Sequence, residues 1–191
     1  VYGDHKALPI KEAITGKPLS PYAVSKVVDE LYADVFSSGY GQQLVGLRYF
    51  NVFGPRQDPN GAYSAAIPRW VLSMMHGKPT EIYGDGKTSR DFCYVANVVQ
   101  ANLLAATAKS APGRAYNVAL EASTSLNQLH RHLRGLTNNS QKPVYKAFRD
   151  GDVRHSLAST RASKKDLGYC PTHTLEQGLE LTVQWFVNQT S

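Results

Sequence analysis

The sequence predicts an α/β fold in which the strands pair in parallel. Short apolar runs such as residues 44–50 are typical of buried strands, and apolar residues recur at helical spacing over 24–36. The two kinds of segment alternate along the chain, as in parallel sheets whose strands are joined by helices. The length of 191 residues suits one domain, or one domain with a small second lobe.

The first predicted element is a helix over residues 20–38, preceded by a loop over 1–19. Ser20 is a good N-cap, Pro21 suits the first helical position, and Gly39 and Gly41 follow as terminators. The apolar positions at helical spacing are Val24, Val27, Val28, Leu31, Val35 and Phe36.

The later elements alternate in the same way. A strand over 44–50 is followed by a turn over 51–55, a helix over 65–75 and strands over 80–83 and 91–95. A helix to about 109, a strand over 115–119 and a helix over 124–136, capped by Ser123 or Thr124, come next. An extended segment over 143–148 and helices over 160–167 and 174–187 complete the pattern.

The charge and composition argue against several classes of function. The net charge is +6, but the basic residues are scattered, whereas nucleic-acid-binding proteins cluster theirs. A positive surface equally suits a small polyphosphate ligand. No apolar run approaches membrane-spanning length, and no signal-peptide pattern occurs. We therefore expect neither nucleic acid nor a membrane as a partner.

The cysteines and histidines predict neither a disulfide framework nor a metal site. Cys93 and Cys170 are far apart and form no CxxC pair, which indicates two free thiols in a reducing compartment and hence a cytoplasmic protein. His130 and His132 are two residues apart on a predicted helix, so their side chains diverge. No H-E-x-x-H motif occurs.

Tyr22 and Lys26 lie four residues apart near the start of the first predicted helix, so they share one helix face. A lysine ammonium favours the phenolate and lowers the pKa of a nearby tyrosine towards working pH. Such a phenolate is a suitable general base for a hydroxyl proton. Taken alone, a Y-x-x-x-K spacing is more often an ordinary solvated helix face.

Four ordered motifs change that balance. They are S-P-Y-A-V-S-K at 20–26, L-R-Y-F-N-V-F-G-P at 47–55, G-D-G-K-T-S-R-D-F at 84–92 and R-D-G-D-V-R-H-S at 149–156. Together they resemble the extended short-chain dehydrogenase/reductase family, and more narrowly its NAD-dependent nucleotide-sugar epimerases. Among these the chain is most similar to bacterial UDP-N-acetylglucosamine 4-epimerases of surface-polysaccharide pathways. The resemblance covers nearly the whole chain.

The resemblance implies that the chain is the C-terminal portion of such a protein. The expected fold is part of a Rossmann-type parallel sheet with a smaller α/β substrate-binding lobe. Residues 1–55 would be a remnant of the dinucleotide-binding domain, and 56–191 would mainly bind the nucleotide sugar, with about 91–110 returning to the first sheet. The GxxGxxG loop of the N-terminal half is absent from the sequence, and Val1 is not a methionine. We therefore expect this chain alone to be inactive.

The resemblance also assigns the catalytic and cofactor-binding residues. Tyr22 would be the catalytic base and Lys26 its partner, and both would contact NAD, because the family's lysine bonds the nicotinamide ribose. Phe50 would lie beside the nicotinamide through its backbone. The Ser/Thr-rich segment that supplies a further catalytic hydroxyl in the family does not occur in this sequence.

The remaining site residues are implied to bind a UDP-sugar. Asn51 would donate to the diphosphate, and Arg90 and Arg149 match the family's diphosphate-binding arginines, whose fork suits phosphate oxygens. Asp152 matches an acid that bonds the uridine ribose, and Ser156 a position that lines the sugar pocket. Positions around the nucleotide are matched by Ala65, Ala66, Trp70 and Tyr83. Without the resemblance, Trp70 would be interpreted as core and the arginines as surface residues.

The function implied is interconversion of UDP-GlcNAc and UDP-GalNAc, or of UDP-Glc and UDP-Gal, through a 4-keto intermediate, by a protein that forms a homodimer when complete. One alternative is a nucleotide-sugar 4,6-dehydratase or UDP-glucuronate epimerase of the same superfamily. Another is a non-catalytic nucleotide-sugar-binding or dimerisation module. The R-x-G-D-x-R-H-S motif favours the UDP-sugar epimerases.

The chain departs from the family pattern at three further places. Glu121-Ala122 replaces a common Gly-Gly turn, which leaves the shape of that loop open. Ser159 stands where an aspartate is usual. Tyr83 replaces a polar residue that lies beside the uracil, which weakens its assignment as a substrate-binding residue.

Overall fold

The computed structural model describes residues 1–61, 66–109, 111, 113–149 and 152–190. The helices are α1 (Pro21–Tyr40), α2 (Ala66–Met75), α3 (Val95–Thr107), α4 (Leu126–Leu136), α5 (Arg161–Leu167) and α6 (Leu175–Thr190). The strands are β1 (Val45–Tyr49), β2 (Val52–Phe53), β3 (Glu81–Tyr83), β4 (Ser89–Arg90), β5 (Cys93–Tyr94), β6 (Arg114–Val118), β7 (Thr124–Ser125) and β8 (Val144–Lys146). The predicted α/β class is confirmed.

The strands form two-stranded sheets, three of them parallel. β1 pairs with β6, β2 with β5 and β3 with β8 in parallel, while β4 pairs with β7 antiparallel. The sequence did not predict β2, β4 or β7, because a strand of two residues is too short to show an alternating pattern. The strand predicted over 91–95 is only β5, since the helix that follows begins at Val95. The proposed domain boundary after residue 55 stays a prediction.

The ends of the helices follow from capping chemistry. The Ser20 hydroxyl accepts a hydrogen bond from the Ala23 N–H at 3.1 Å, as predicted for an N-cap, and α1 continues two residues beyond the predicted end. The cap predicted for α4 was wrong. Ser125, the last residue of β7, caps α4 in a reciprocal capping box with Gln128.

The largest core cluster lies where α2, α4 and α6 pack together with the short strands. Buried side chains from each helix meet there, including Val71, Leu129 and Leu179, and Phe53 and Ile82 join them from β2 and β3. This packing fixes α2 and β3, the two elements that carry several of the predicted substrate-binding residues. None of the described helices is long and apolar enough to cross a membrane.

α1 is joined to the rest of the structure by a forked ion pair rather than by a buried apolar face. None of its residues is buried. The Arg48 guanidinium on β1 donates to both Glu30 carboxylate oxygens, through Nε and Nη2 at 2.7 Å each. Its Nη1 donates to the Tyr2 hydroxyl at 2.8 Å and to the Glu12 carbonyl oxygen at 2.9 Å. Burial alone would lower the pKa of Arg48, but the bonds to Glu30 and Tyr2 raise it above the ordinary value.

Asn117, the register partner of Arg48 on β6, extends this network. Its amide oxygen accepts a hydrogen bond from the Tyr2 hydroxyl, and its Nδ2 donates to the carbonyl oxygens of Ile10 and Ser159 at 3.0 Å each. The two strands therefore hold the N-terminal segment, α1 and the segment before α5 through polar side chains that lie opposite each other.

Glu121 adopts the backbone conformation of the turn in which the family usually has Gly-Gly, and its side chain makes hydrogen bonds there. The residue has φ of 61°, a left-handed conformation that glycine adopts without strain. Its carboxylate accepts from the Thr160 N–H at 3.1 Å and from the Thr160 hydroxyl at 3.0 Å, and it pairs with Lys164 at 2.7 Å. Because Thr160 is the N-cap of α5 and makes no side-chain cap of its own, Glu121 supplies the capping acceptor.

Replacing Arg48 with Met should lower the free energy of unfolding by about 2–3 kcal/mol, between the values typical of exposed and fully buried pairs. The reason is that the Glu30 carboxylate would lose its partner where the Arg48 side chain is only 11% exposed. Urea denaturation followed by circular dichroism measures the loss.

Arg114→Met is the matched control. Arg114 also lies on the β1–β6 ladder and pairs with Asp166 at 3.2 Å, but its side chain is 66% exposed. We expect a loss below about 1 kcal/mol. Equal losses in the two variants would contradict the role assigned to Arg48.

Candidate functional site

A cavity of about 360 Å³ lies between the end of β2, the start of α2, strands β3 and β4, and the segment that ends at residue 154. Its volume is within the range of small-molecule sites. It brings together seven residues that the sequence proposes for substrate binding. They are Asn51, Ala66, Trp70, Tyr83, Arg90, Arg149 and Asp152.

The cavity is cationic. Four arginines line it, against two carboxylates, Glu81 and Asp152. The arginines are Arg69, Arg90, Arg149 and Arg154. Glu81 is partly neutralised, because its carboxylate lies 3.4 Å from the Lys146 ammonium. The remaining positive charge favours an anionic ligand.

Arg90 is fixed by backbone contacts on β4. Its Nη1 donates to its neighbour Ser89's carbonyl oxygen at 2.9 Å and to the Arg154 carbonyl oxygen at 3.2 Å. Burial lowers the pKa of Arg90, and the nearby Asp152 carboxylate partly offsets that effect. A half-buried cation without an anionic partner is costly in free energy, and an anionic ligand bound to the other guanidinium N–H groups would reduce that cost.

Arg149 and Tyr83 form a stacked pair. The guanidinium carbon lies 3.7 Å from the centroid of the tyrosine ring, within the range of a cation–π contact. Arg154 is held differently, because its Nη2 donates to the Asp85 carboxylate at 2.8 Å and its guanidinium carbon lies 5.2 Å from the Phe148 ring centroid. Asp85 belongs to the turn that closes β3.

Trp70 is both core and cavity wall. Its side chain is buried, its indole N–H donates to the Glu81 carbonyl oxygen at 3.1 Å, and its ring meets His130 edge-on at 6.3 Å between centroids. The interpretation of Trp70 as core and its proposed place at the cavity are therefore compatible. Burial lowers the pKa of His130, which favours the neutral ring.

Asn51 lies at the point where β1 ends and the chain enters β2. Its φ is 21°, and its carbonyl oxygen accepts the Cys93 N–H at 3.2 Å, which ties it to β5. The side chain is exposed at the cavity. A carboxyl end of a parallel strand is where ligands of open α/β sheets bind.

Four predicted site residues among those the structure describes do not line this cavity, namely Tyr22, Lys26, Phe50 and Ser156. Tyr22 is 53% exposed on α1, where the Lys26 ammonium lies 5.6 Å from its ring centroid and 2.7 Å from the Asp29 carboxylate. The hydrogen bond to Asp29 raises the pKa of Lys26. Phe50 is buried, and its N–H donates to the Val118 carbonyl oxygen at 3.0 Å. Ala65 lies outside the described residues.

Ser156, the fourth, is half-buried next to β4. Its N–H donates to the Ser89 carbonyl oxygen at 3.1 Å, and the Ser89 N–H donates to the Arg154 carbonyl oxygen at 3.1 Å. The Ser89 hydroxyl lies 2.9 Å from Nδ1 of His155. Ser89 therefore holds the segment from Arg154 to Ser156 through backbone hydrogen bonds and through its side-chain contact with His155.

The sequence missed Arg69, Arg154 and Asp91. Arg154 and Asp91 stand inside motifs that were recognised, so their position was a usable signal. Arg69 precedes Trp70 on α2, and its Nε is buried without a hydrogen-bond partner among the described residues. No local pattern distinguishes it from an arginine on a solvated helix face.

Asp91 connects the loops around the site. It is fully buried, and its carboxylate accepts from the Leu120 N–H at 3.0 Å and the Ala158 N–H at 3.2 Å. Burial raises the pKa of Asp91 to about 6, although the backbone N–H groups lower it. This carboxylate thus joins the end of β4 to the segments that follow β6 and precede α5.

Comparison with known proteins gives a consistent result. The model of a family described as the NAD dependent epimerase/dehydratase family matches residues 1–119. A UDP-glucose 4-epimerase of Mycolicibacterium smegmatis is 32% identical over 190 residues, which is all of this chain and 60% of the relative.

Two solved structures are closely similar. A UDP-glucose 4-epimerase from Thermotoga maritima, crystallised with UDP-glucose, has a TM-score of 0.95 and 38% identity over 100% of this chain and 61% of that one. A UDP-N-acetylglucosamine 4-epimerase from Methanobrevibacter ruminantium, in complex with UDP-N-acetylmuramic acid, has a TM-score of 0.94 and 39% identity over 99% of this chain and 60% of that one. The chain therefore spans about 60% of the length of the proteins it matches.

Asp91 should make stability depend on pH. The pKa of Asp91 is about 6 in the folded state and 3.8 in the unfolded state. The contribution of Asp91 to the free energy of unfolding is therefore fully present below pH 3.8 and is lost as pH rises through 6. Between pH 5 and pH 8 we expect wild type to lose about 1–1.5 kcal/mol relative to Asp91→Asn, which has no charge to bury. Urea midpoints of both proteins at the two pH values measure the difference. A pH-independent difference would contradict this pKa.

Proposed function

The chain belongs to the NAD dependent epimerase/dehydratase family, and from this membership we propose that it is the C-terminal, nucleotide-sugar-binding part of a UDP-sugar 4-epimerase. The observation that carries the proposal is the cavity, which combines four arginines with buried aromatic walls. Arginine forks suit a diphosphate, and aromatic and apolar walls suit a nucleoside. The preferred pairs of substrates are UDP-GlcNAc with UDP-GalNAc and UDP-Glc with UDP-Gal.

The proposed roles at the cavity follow from charge and position. Asn51, Arg90 and Arg149 would hold the diphosphate, and Asp152 would accept from the uridine ribose. Trp70 and Ala66 form the wall at the start of α2. A ligand held by its diphosphate can present either face of its sugar, because rotation about the diphosphate link remains open.

Tyr22 is the proposed base for the proton of the sugar 4-hydroxyl. Lys26 would stabilise the phenolate electrostatically and contact a nicotinamide ribose, and both side chains are exposed enough on α1 to meet a ligand. The residues of this chain fit only the nicotinamide end of NAD, since the sequence has no glycine-rich turn for its pyrophosphate. When bound, NAD supplies the acceptor and donor of the hydride at C4.

A non-catalytic nucleotide-sugar-binding module is a second candidate. Neither Tyr22 nor Lys26 lines the cavity, so ligand binding there needs neither of them. The dehydratase and UDP-glucuronate epimerase alternatives would also place a nucleotide sugar in this cavity, the first for a different reaction and the second with a different sugar.

We also propose that the complete protein is a cytoplasmic homodimer. Side chains of α1 form an exposed apolar surface. Pairing of α1 with the same helix of a second copy would cover it. Its members are Val24, Val28, Leu31, Tyr32, Val35, Phe36 and Tyr40. Cys93 and Cys170 are both unpaired, which suits a reducing compartment.

UDP should bind this chain, and Arg90→Met should weaken that binding about 10- to 100-fold, as expected for a lost charge-assisted hydrogen bond. Isothermal titration calorimetry with UDP measures the affinity. Arg131→Met, which removes an exposed arginine from α4, should leave the affinity unchanged. No UDP binding by the unchanged chain would contradict the proposed function.

In a form of the protein that holds NAD, Tyr22→Phe should lower kcat about 10²- to 10⁴-fold, because the general base is removed. UDP affinity should stay the same, since Tyr22 does not line the cavity. Epimerisation of UDP-glucose and UDP-GlcNAc is the assay, and Tyr145→Phe, which changes an exposed tyrosine of β8 outside the cavity, is the control. Full turnover of Tyr22→Phe with undiminished UDP binding would favour a different base.

A further inference from the structure

Arg149 is held differently from Arg90 and Arg154, the two cavity arginines that are fixed by hydrogen bonds. Arg90 donates to two carbonyl oxygens, and Arg154 donates to the Asp85 carboxylate. Arg149 takes part in none of the ion pairs formed among the described residues, and it lies against the face of the Tyr83 ring at 3.7 Å. Its position therefore depends on an aromatic ring.

The parallel pairing of β3 with β8 produces this contact. Tyr83, the last residue of β3, lies opposite Lys146, and the Gly84 N–H donates to the Lys146 carbonyl oxygen at 2.9 Å. Gly84 has φ of 86°, and a side chain there would collide with the Phe148 ring. Because Gly84 has no side chain, the segment after β8 can pass close to the end of β3. This close approach brings Arg149 against the Tyr83 ring.

The ring itself is tied to its strand. The Tyr83 hydroxyl donates to the Glu81 carboxylate at 3.4 Å, and the same carboxylate pairs with the Lys146 ammonium. These contacts are weak individually, but they come from both strands of the β3–β8 pair. They keep the ring beside the cavity that Tyr83 and Arg149 both line.

Stacking has a consequence that an ion pair would not have. A guanidinium bound by its face keeps its five N–H donors in its own plane, and none of them is used by the ring. Two parallel N–H groups then remain for two phosphate oxygens. The ring restricts the rotamers of the arginine at the same time, so less entropy is lost when a ligand binds.

We propose that Tyr83 is a positioning residue for the ligand's diphosphate, which it influences through Arg149 and not by touching the nucleobase. The inference rests on the proposed function, because it assumes a nucleoside diphosphate in the cavity. It gives a role to the one site residue that replaces a polar residue of the family pattern.

The test compares the affinities of this chain for UDP and for uridine, measured by NMR titration. Tyr83→Leu should weaken UDP binding about three- to tenfold, the range of a lost cation–π contact, and leave uridine binding unchanged. Tyr83→Phe keeps the aromatic face and should bind UDP within about twofold of wild type. Tyr145→Leu, which removes a 52% exposed tyrosine from the neighbouring strand β8, is the matched control and should change neither affinity.

A double-mutant cycle separates positioning from general structural damage. In an Arg149→Met background, Tyr83→Leu should cause no further loss of UDP affinity, because the residue through which it acts is gone. Circular dichroism establishes that each variant is folded before it is titrated.

Several results would overturn the inference. An equal loss of uridine and UDP affinity in Tyr83→Leu would mean that the ring contacts the nucleoside. Additive losses in the double variant would mean that Tyr83 does not act through Arg149. No loss of UDP affinity in Tyr83→Leu would mean that Tyr83 is not a positioning residue. The proposed function would stand in both cases. Failure of the unchanged chain to bind UDP would overturn the proposed function, and this inference with it.

Discussion

The ion pair between Arg48 and Glu30 is the interaction on which the position of α1 depends. A helix normally docks by burying an apolar stripe, but no residue of α1 is buried. The bidentate fork compensates, because it fixes direction as well as distance, and the Tyr2 hydroxyl and the Glu12 carbonyl oxygen occupy the remaining terminal nitrogen. Asn117 opposite Arg48 extends the same network to the segment that leads into α5.

Several charged side chains around the cavity are likewise paired with polar partners. Arg154 has Asp85, Glu81 has Lys146, and Arg90 has backbone oxygens, so most charges there have partners before any ligand binds. What remains unsatisfied is positive charge on planar guanidinium groups. The diphosphate of the proposed ligand would use both properties, since it has two negative charges and several oxygens spaced for a fork.

The structure divides the proposed chemistry between two surfaces. The cavity gathers the residues proposed for the nucleotide, while Tyr22 and Lys26 lie on α1 outside its lining. Binding and proton transfer can therefore be examined separately in this protein. Asp91 and Glu121 take part in neither, yet they hold the loops beside the cavity, one by a buried carboxylate and the other by capping α5.

The sequence by itself determined the α/β class, most element positions and the Ser20 cap, and its resemblance to a known family predicted seven residues that line one cavity. These features depend on periodicity, on caps within one helical turn, or on residue types in fixed order. Tertiary structure decided the two-residue strands, the capping role of Glu121 and the stack of Arg149 on Tyr83. Such contacts join residues that are tens of positions apart, and a local pattern carries no information about which distant side chain will lie opposite. Only the packing of β3 against β8 and of α5 against β6 brings those partners within bonding distance.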